Sequence, residues 1–179
     1  PKACENWLIA NKFIPEKEIY MFSYFKGNGE DGLHLAFSED GYKWKSLKND
    51  TSFLTPEVGK DKLMRDPCII KGGDGLYHMV WTVSWTDKGI GYANSKDLIN
   101  WSDPAICFDE NTEEPNVESP FVVKRGEYYY LFLSARPWPN GAEEIFRSKT
   151  PYLWTTDESV KKIDPWHAAE VIRDLDGKW

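Results

Sequence analysis

Apolar positions along this chain come in short alternating stretches, not at the spacing of a helix face. Three aromatic and β-branched runs set the pattern: Ile19–Phe25 (IYMFSYF), Tyr77–Val83 (YHMVWTV) and Tyr128–Leu133 (YYYLFL). Each precedes a short run, Gly32–Phe37, Gly89–Asn94 or Ala142–Arg147, and then a turn-like segment that starts at Ser and ends at Trp. Those segments are Ser38–Trp44, Ser95–Trp101 and Ser148–Trp154, so successive Ser residues lie 57 (38 to 95) and 53 (95 to 148) positions apart. Upstream of the second and third units lie the turns Gly73-Asp-Gly75 and Arg125-Gly126, preceded by the apolar runs Cys68–Ile70 and Phe121–Val123. The pattern predicts strand, turn, strand, loop, strand, Ser-turn and a Trp-led fourth strand.

Four antiparallel strands repeated at this spacing describe blades of a β-propeller. The expected blades span about 1–50, 60–107 and 115–160, with the start of another at 165–179, where Trp166–Ile172 reads as a first strand followed by its turn. The repeated Trp reads as structural, filling space between neighbouring blades. A closed ring takes about four to eight blades. About three blades with exposed edges imply either self-association or missing blades that close the ring.

Composition narrows the partners. The chain is 41% hydrophobic and 28% charged, ordinary for a globular domain, but 15% aromatic, with nine each of Trp, Tyr and Phe. Aromatics suit sheets and also sites that stack flat ligand faces. A formal charge of −7 argues against a nucleic-acid backbone or an anionic membrane as partner. No run reaches the ~20 apolar residues of a membrane helix. Cys4, Cys68 and Cys107 lack metal-ligand spacing, and Cys68 reads as a small buried hydrophobe.

Chemistry enters at the strand starts. Arg65-Asp66-Pro67 opens one first strand and Glu118-Ser119-Pro120 the next, with the two prolines 53 positions apart, in register with the repeat. Proline lacks a donor and suits the first residue of a strand. In a propeller the first strands run around a central axis, so their entrances converge on one mouth, which explains polar residues leading into apolar strands. Two convergent carboxylates near aromatic planes suit glycoside hydrolysis. One carboxylic acid protonates the leaving oxygen, and a second group serves as base or nucleophile.

These residues resemble the five-bladed propeller glycoside hydrolases, families 43 and 32 and their relatives. Arg65-Asp66-Pro67 is similar to the Arg-Asp-Pro motif of family 32 and the Asp-Pro strand start of family 43. Glu118-Ser119-Pro120, followed by Phe-Val-Val and Tyr128–Ser134, is similar to the Glu-x-Pro strand that carries their general acid. The resemblance covers Ile19 to Trp179. It implies an all-β, five-bladed propeller, incomplete in this chain, acting on arabinose-, xylose- or fructose-containing oligo- or polysaccharides without a redox cofactor. It implies that Glu118 is the acid and that Asp66 stabilises the transition state or tunes the acid. In both families the base or nucleophile is an aspartate on the first blade's inner strand. The corresponding stretch near Trp7–Ala10 has no aspartate, and its polar residues are Glu5, Asn6 and Asn11.

Further candidates surround these two. Arg65 either pairs with a carboxylate or binds a sugar hydroxyl. Trp85 and Trp138 lie in loops after second strands, where they either stack on sugars or pack between strands. His167 and Glu170 begin the fourth inner strand and are candidates to line the pocket; His167 either does so, ligates a central ion as the resemblance to some family 43 relatives implies, or is a hydrogen-bonded sheet histidine. His34 and His78 read as structural. Asn28-Gly-Glu-Asp-Gly32 is acidic but lacks the alternating ligands of an EF-hand, so it reads as a blade loop and no calcium or other metal is assigned. Two rival functions stand beside the enzyme: an inactive carbohydrate-binding propeller without the first-blade base, and a propeller that serves as a protein-interaction platform.

Overall fold

The computed structural model describes residues 19–108, 116–135, 142–155, 159–163, 166–173 and 176–179. Its strands form three antiparallel meanders. The first sheet has β1 (Tyr20–Tyr24), β2 (His34–Ser38) and β3 (Lys45–Ser46) in sequence order. The second has β4 (Arg65–Lys71), β5 (Tyr77–Thr82), β6 (Ile90–Ser95) and β7 (Ala105–Ile106). The third has β8 (Val117–Arg125), β9 (Tyr128–Ala135), β10 (Ala142–Ser148) and β11 (Ser159–Ile163). Each strand pairs with its sequence neighbours, as in a propeller blade. Among the described residues the sole helical segment is a 3-10 turn, Lys48–Asp50. The first blade's expected inner strand, near Trp7–Ala10, lies outside the described residues.

Alternation along the strands builds two apolar layers between blades. Leu33 and Leu35 of blade one meet Met79, Trp81, Val83 and Ala93 of blade two. Val80, Ile90 and Phe108 of blade two meet Leu131, Leu133, Phe146 and Trp154 of blade three. The repeated Trp follows this logic. Trp101 packs into the first layer and Trp154 into the second, so each faces the preceding blade. Trp44 holds the same repeat position in blade one, where no preceding blade lies among the described residues. It is 43% exposed and rests on Phe22, ring centroids 5.4 Å apart.

The Ser-turn is the same hydrogen-bonded device in blades one and two. Ser38 Oγ accepts from the N–H of Asp40 and Gly41, and Asp40 Oδ1 accepts from Tyr42 and Lys43 N–H. Ser95 Oγ likewise accepts from Asp97 and Leu98, and Asp97 Oδ1 from Ile99 and Asn100. These are side chains closing a turn on its own backbone. Burial raises the Asp97 carboxyl, but the Asn100 N–H and amide and the Ile99 N–H outweigh it and bring it down to about 2. A carboxylate depressed on folding stabilises fully above its unfolded value of about 3.9 and loses that contribution as pH falls toward the folded value. Asp97→Asn is therefore expected to cost about 1 kcal/mol near neutral pH. Urea unfolding of both proteins should show the gap closing as pH falls from about 4 toward 2.

One expected element is absent. Trp166–Ile172 reads in sequence as a strand, yet residues 166–173 make no ladder. A strand persists through a partner, and none of the described residues offers one here. Instead the segment is held by hydrogen bonds to blade three.

Candidate functional site

The two polar strand entrances share a backbone irregularity. In β4, Arg65 pairs with Thr82 and Cys68 with Val80, so Asp66 and Pro67 together oppose one residue. In β8, Glu118 pairs with Ser134 and Phe121 with Phe132, so Ser119 and Pro120 do the same. Proline cannot donate to a ladder, and a bulge gives it a place. Asp66 and Ser119 both take positive φ, +50° and +53°, directly before proline. This conformation is costly for a non-glycine residue, by about 1–3 kcal/mol, and such strain gathers at functional sites. Aspartate tolerates it better than most.

The bulges are tied together. Asp66 Oδ2 accepts from Thr82 Oγ1 at 3.1 Å and from Ser119 Oγ at 3.3 Å. Thr82 Oγ1 in turn accepts from Ser119 N–H at 2.8 Å. Two residues further along β4, the Cys68 thiol accepts from Val122 N–H of β8 at 3.3 Å. Burial pushes that thiol up to about 11, in keeping with a packing role. Cys68 and Cys107 are both free. Asp66 thus touches the residue that follows Glu118. The Glu118 side chain is 27% exposed, and its Oε1 lies 3.0 Å from His167 Nε2.

Beside the bulges opens a cleft of about 400 Å³, with Asp66, Ser119, Phe121 and Glu170 on its walls. Phe22 and Tyr24 of β1 supply an aromatic side, their rings near parallel with centroids 6.0 Å apart. Ser23 Oγ donates to the Pro67 carbonyl at 2.6 Å, docking β1 against the bulge of β4. Burial, followed by the Asp50 hydrogen bond and charge, pushes the Tyr24 phenol up to about 12. Tyr24 therefore stays a neutral donor, bonded to Asp50 at 2.6 Å.

A family model described as "Probable glycosyl hydrolase domain", related to glycoside hydrolase family 43, matches residues 16–135. The chain belongs to this family. No curated protein matches it. Among solved structures, an exo-1,5-α-L-arabinanase from a bovine ruminal metagenomic library is similar at 21% identity and TM-score 0.54, over 89% of this chain and 52% of that one. The α-L-arabinanase of Cellvibrio cellulosa is similar at 18% and 0.53, over 78% and 51%. The Bombyx mori family 32 β-fructofuranosidase is similar at 14% and 0.59, over 82% and 33%. The chain thus spans about half of these arabinanases and a third of the fructofuranosidase. These likenesses show the fold, a five-bladed β-propeller of which the described residues form three blades.

In this family-43-related domain the other sequence candidates fall in distinct places. Arg65 does not pair with a carboxylate among the described residues. Its guanidinium lies 3.9 Å from the Trp85 ring centroid and 5.6 Å from that of Phe25, and Nη1 donates to Asn28 Oδ1 at 2.8 Å. Trp85 is 52% exposed but carries that guanidinium on its ring. Its loop is pinned by Asp61, whose Oδ2 accepts from Ser84 Oγ and Trp85 N–H. Hydrogen bonds from Ser84 and Trp85 hold the Asp61 carboxyl below its usual range. Trp138 lies outside the described residues, as do Glu5, Asn6 and Asn11. Glu170 lines the cleft, and His167 reaches Glu118.

His34 and His78 are buried and hydrogen-bonded, His34 to Asp31 and His78 to Tyr92 and Asp74. The Asn28–Gly32 segment closes on blade two, with Gly29 accepting from Met64 N–H at 2.9 Å. Among the described residues no cluster of three or more His, Cys, Asp or Glu is placed to hold a metal.

The cleft's aromatic side does not stand out in the sequence. Phe22 and Tyr24 sit two apart on one strand, a spacing that puts both on one face. That period was visible in Tyr20-Met-Phe-Ser-Tyr24. Which neighbour that face would meet was not.

Proposed function

We propose that this domain hydrolyses glycosidic bonds in arabinose-, xylose- or fructose-containing glycans, with Glu118 as general acid and Asp66 as the carboxylate that stabilises charge beside it. The observation that carries this reading is the junction of two inner-strand bulges. There Asp66 bonds the residue following Glu118, at the wall of a cleft with stacked aromatic rings. Membership of a family-43-related group supports the reaction class. The arabinanase and fructofuranosidase neighbours support pentose and fructose units as substrates.

Protonation of the leaving oxygen by a carboxylic acid and stabilisation of the oxocarbenium-like centre by a carboxylate are complementary tasks. A base or nucleophile supplied by blade one completes the set. Its separation from the acid distinguishes retention, about 5–5.5 Å, from inversion, about 6.5–9.5 Å. Sugar C–H faces would lie on Phe22, and hydroxyls would bond to Asp66, Ser119 and Glu170.

The test is a panel of aryl arabinofuranosides, aryl xylosides, arabinan, xylan and fructans, read by product release and by the shift in melting temperature. Turnover of at least one member is expected. Saccharide-induced stabilisation without turnover would replace this reading with the inactive carbohydrate-binding one. Neither turnover nor a shift would favour the protein-interaction platform.

A further inference from the structure

Glu143 on β10 is almost wholly buried, at 1% exposure, and lies outside the chemistry proposed above. A buried carboxyl costs stability unless hydrogen bonds compensate its lost hydration. Its place in the sheet shows what supplies them. Glu118 on β8 is the cross-strand partner of Ser134 on β9, and Ser134 is the partner of Glu143 on β10. Directly opposed residues share a face, so the three side chains stand in one row across blade three.

The row is hydrogen-bonded to the segment that covers it. Ser134 Oγ donates to Glu143 Oε2 at 3.0 Å and accepts from Ala168 N–H at 2.7 Å. Ala168 has φ of +54°, an unfavourable conformation for alanine that the bond to Ser134 helps hold. One residue before it, His167 Nε2 meets Glu118 Oε1. Burial pushes the Glu143 carboxyl up, against the Ser134 hydroxyl and the nearby N–H groups of Ala169 and Ala168.

We infer that Glu143 and Ser134 are positioning residues for the proposed acid: their buried pair fixes the Ala168 backbone and thereby seats the His167 imidazole on Glu118. With Oε1 engaged by His167, the rotation of the Glu118 carboxyl is set, and Oε2 is the oxygen available to a leaving group. Glu143 touches no substrate and acts through Ser134 and the backbone. The inference rests on Glu118 being the acid.

The experiment uses the whole chain, with Ser134→Ala, Glu143→Leu and Glu143→Gln. Two NMR readouts need no substrate: the NOE between the His167 ring protons and the Glu118 methylenes, and amide exchange at Ala168. Both are expected to be lost in Ser134→Ala and Glu143→Leu and kept in Glu143→Gln, whose side-chain carbonyl still accepts from Ser134. On a cleaved glycoside, kcat should fall about 10- to 100-fold in the first two with little change in KM, because misplacement of an acid is read in the chemical step. Glutamine should recover most of that loss. Should Glu143→Leu fail to fold, Ser134→Ala decides alone. Retention of the NOE and the exchange protection in a folded Ser134→Ala would overturn the inference, as would Glu143→Gln behaving like Glu143→Leu. If no glycoside is cleaved by the wild type, the functional reading fails, while the NMR arm still decides whether the anchor exists.

Discussion

In a Glu118→Gln variant, kcat on an unactivated glycoside cleaved by the wild type is expected to fall about 10²- to 10⁴-fold, the usual contribution of a positioned acid. Glutamine has the same shape, and its carbonyl oxygen can take the place of Oε1 beside His167 Nε2. The bulge at Ser119 and its bonds to Asp66 and Thr82 do not involve the Glu118 side chain, so the fold should stay intact. What is removed is the proton. An aryl substrate with a good leaving group needs that proton less, so the loss on it should be clearly smaller. This dependence separates a missing acid from general damage. Asp66→Asn is the companion variant. Asparagine tolerates the left-handed backbone that Asp66 adopts, so the substitution removes charge with little change in strain. Steady-state kinetics with both leaving groups, beside melting curves, provides the check. A Glu118→Gln protein with kcat within about threefold of wild type on the unactivated substrate would remove Glu118 from the acid's role.

A large effect on stability is expected at Gly91. It is the cross-strand partner of Trp81, and a Cβ placed on it would stand 2.1 Å from Trp81 Cε2 and 2.5 Å from Cζ2 and Nε1. Flexible neighbours can absorb a tight contact, but Trp81 is a rigid ring at 0% exposure in the layer between blades one and two. Gly91→Ala should therefore cost about 3 kcal/mol, the upper part of the overpacking range. Urea denaturation would show it as a lower midpoint with an unchanged slope. Replacing Trp81 by Phe in the same protein should recover part of the loss, because the two residues share one volume. The damage should reach the candidate site too. Thr82 follows Trp81 and carries the hydroxyl that joins Asp66 to Ser119, so a displaced indole disturbs that junction. A Gly91→Ala protein within about 0.5 kcal/mol of wild type would show that the indole can move after all.

Much of the site was legible because a repeat carries spatial information. Pro67 and Pro120 fall at one repeat position, so the residues before them had to open neighbouring inner strands. The Asp66–Ser119 bond is the physical form of that register. The inner strands begin earlier than their apolar runs suggest, at Arg65 and Val117 rather than Cys68 and Phe121. The bulges explain this: pairing continues across Asp66-Pro67 and Ser119-Pro120, which an alternating pattern alone reads as a strand start.

Arg65 and Trp85 show the limit of that reading. Read singly, each has a role to offer a sugar, and nothing in the sequence says that 20 positions apart they meet face to face. Glu143 was invisible for a similar reason. It stands in Ala142–Arg147 as one of two successive glutamates, and alternation does not say which of them points inward. The answer came from its row, since Glu118, Ser134 and Glu143 are neighbours only once β8, β9 and β10 are paired.

By itself, the sequence determined the all-β class, the blade repeat, the Ser-turns and the two polar entrances. All of these are local or periodic, and so are set by backbone preference and strand alternation. Tertiary structure alone decided that Trp166–Ile172 is no strand, that Phe22 and Tyr24 wall the cleft, and that His167 rests on Glu118. Those facts depend on which surfaces meet across blades, and side-chain period along one strand does not encode its neighbours.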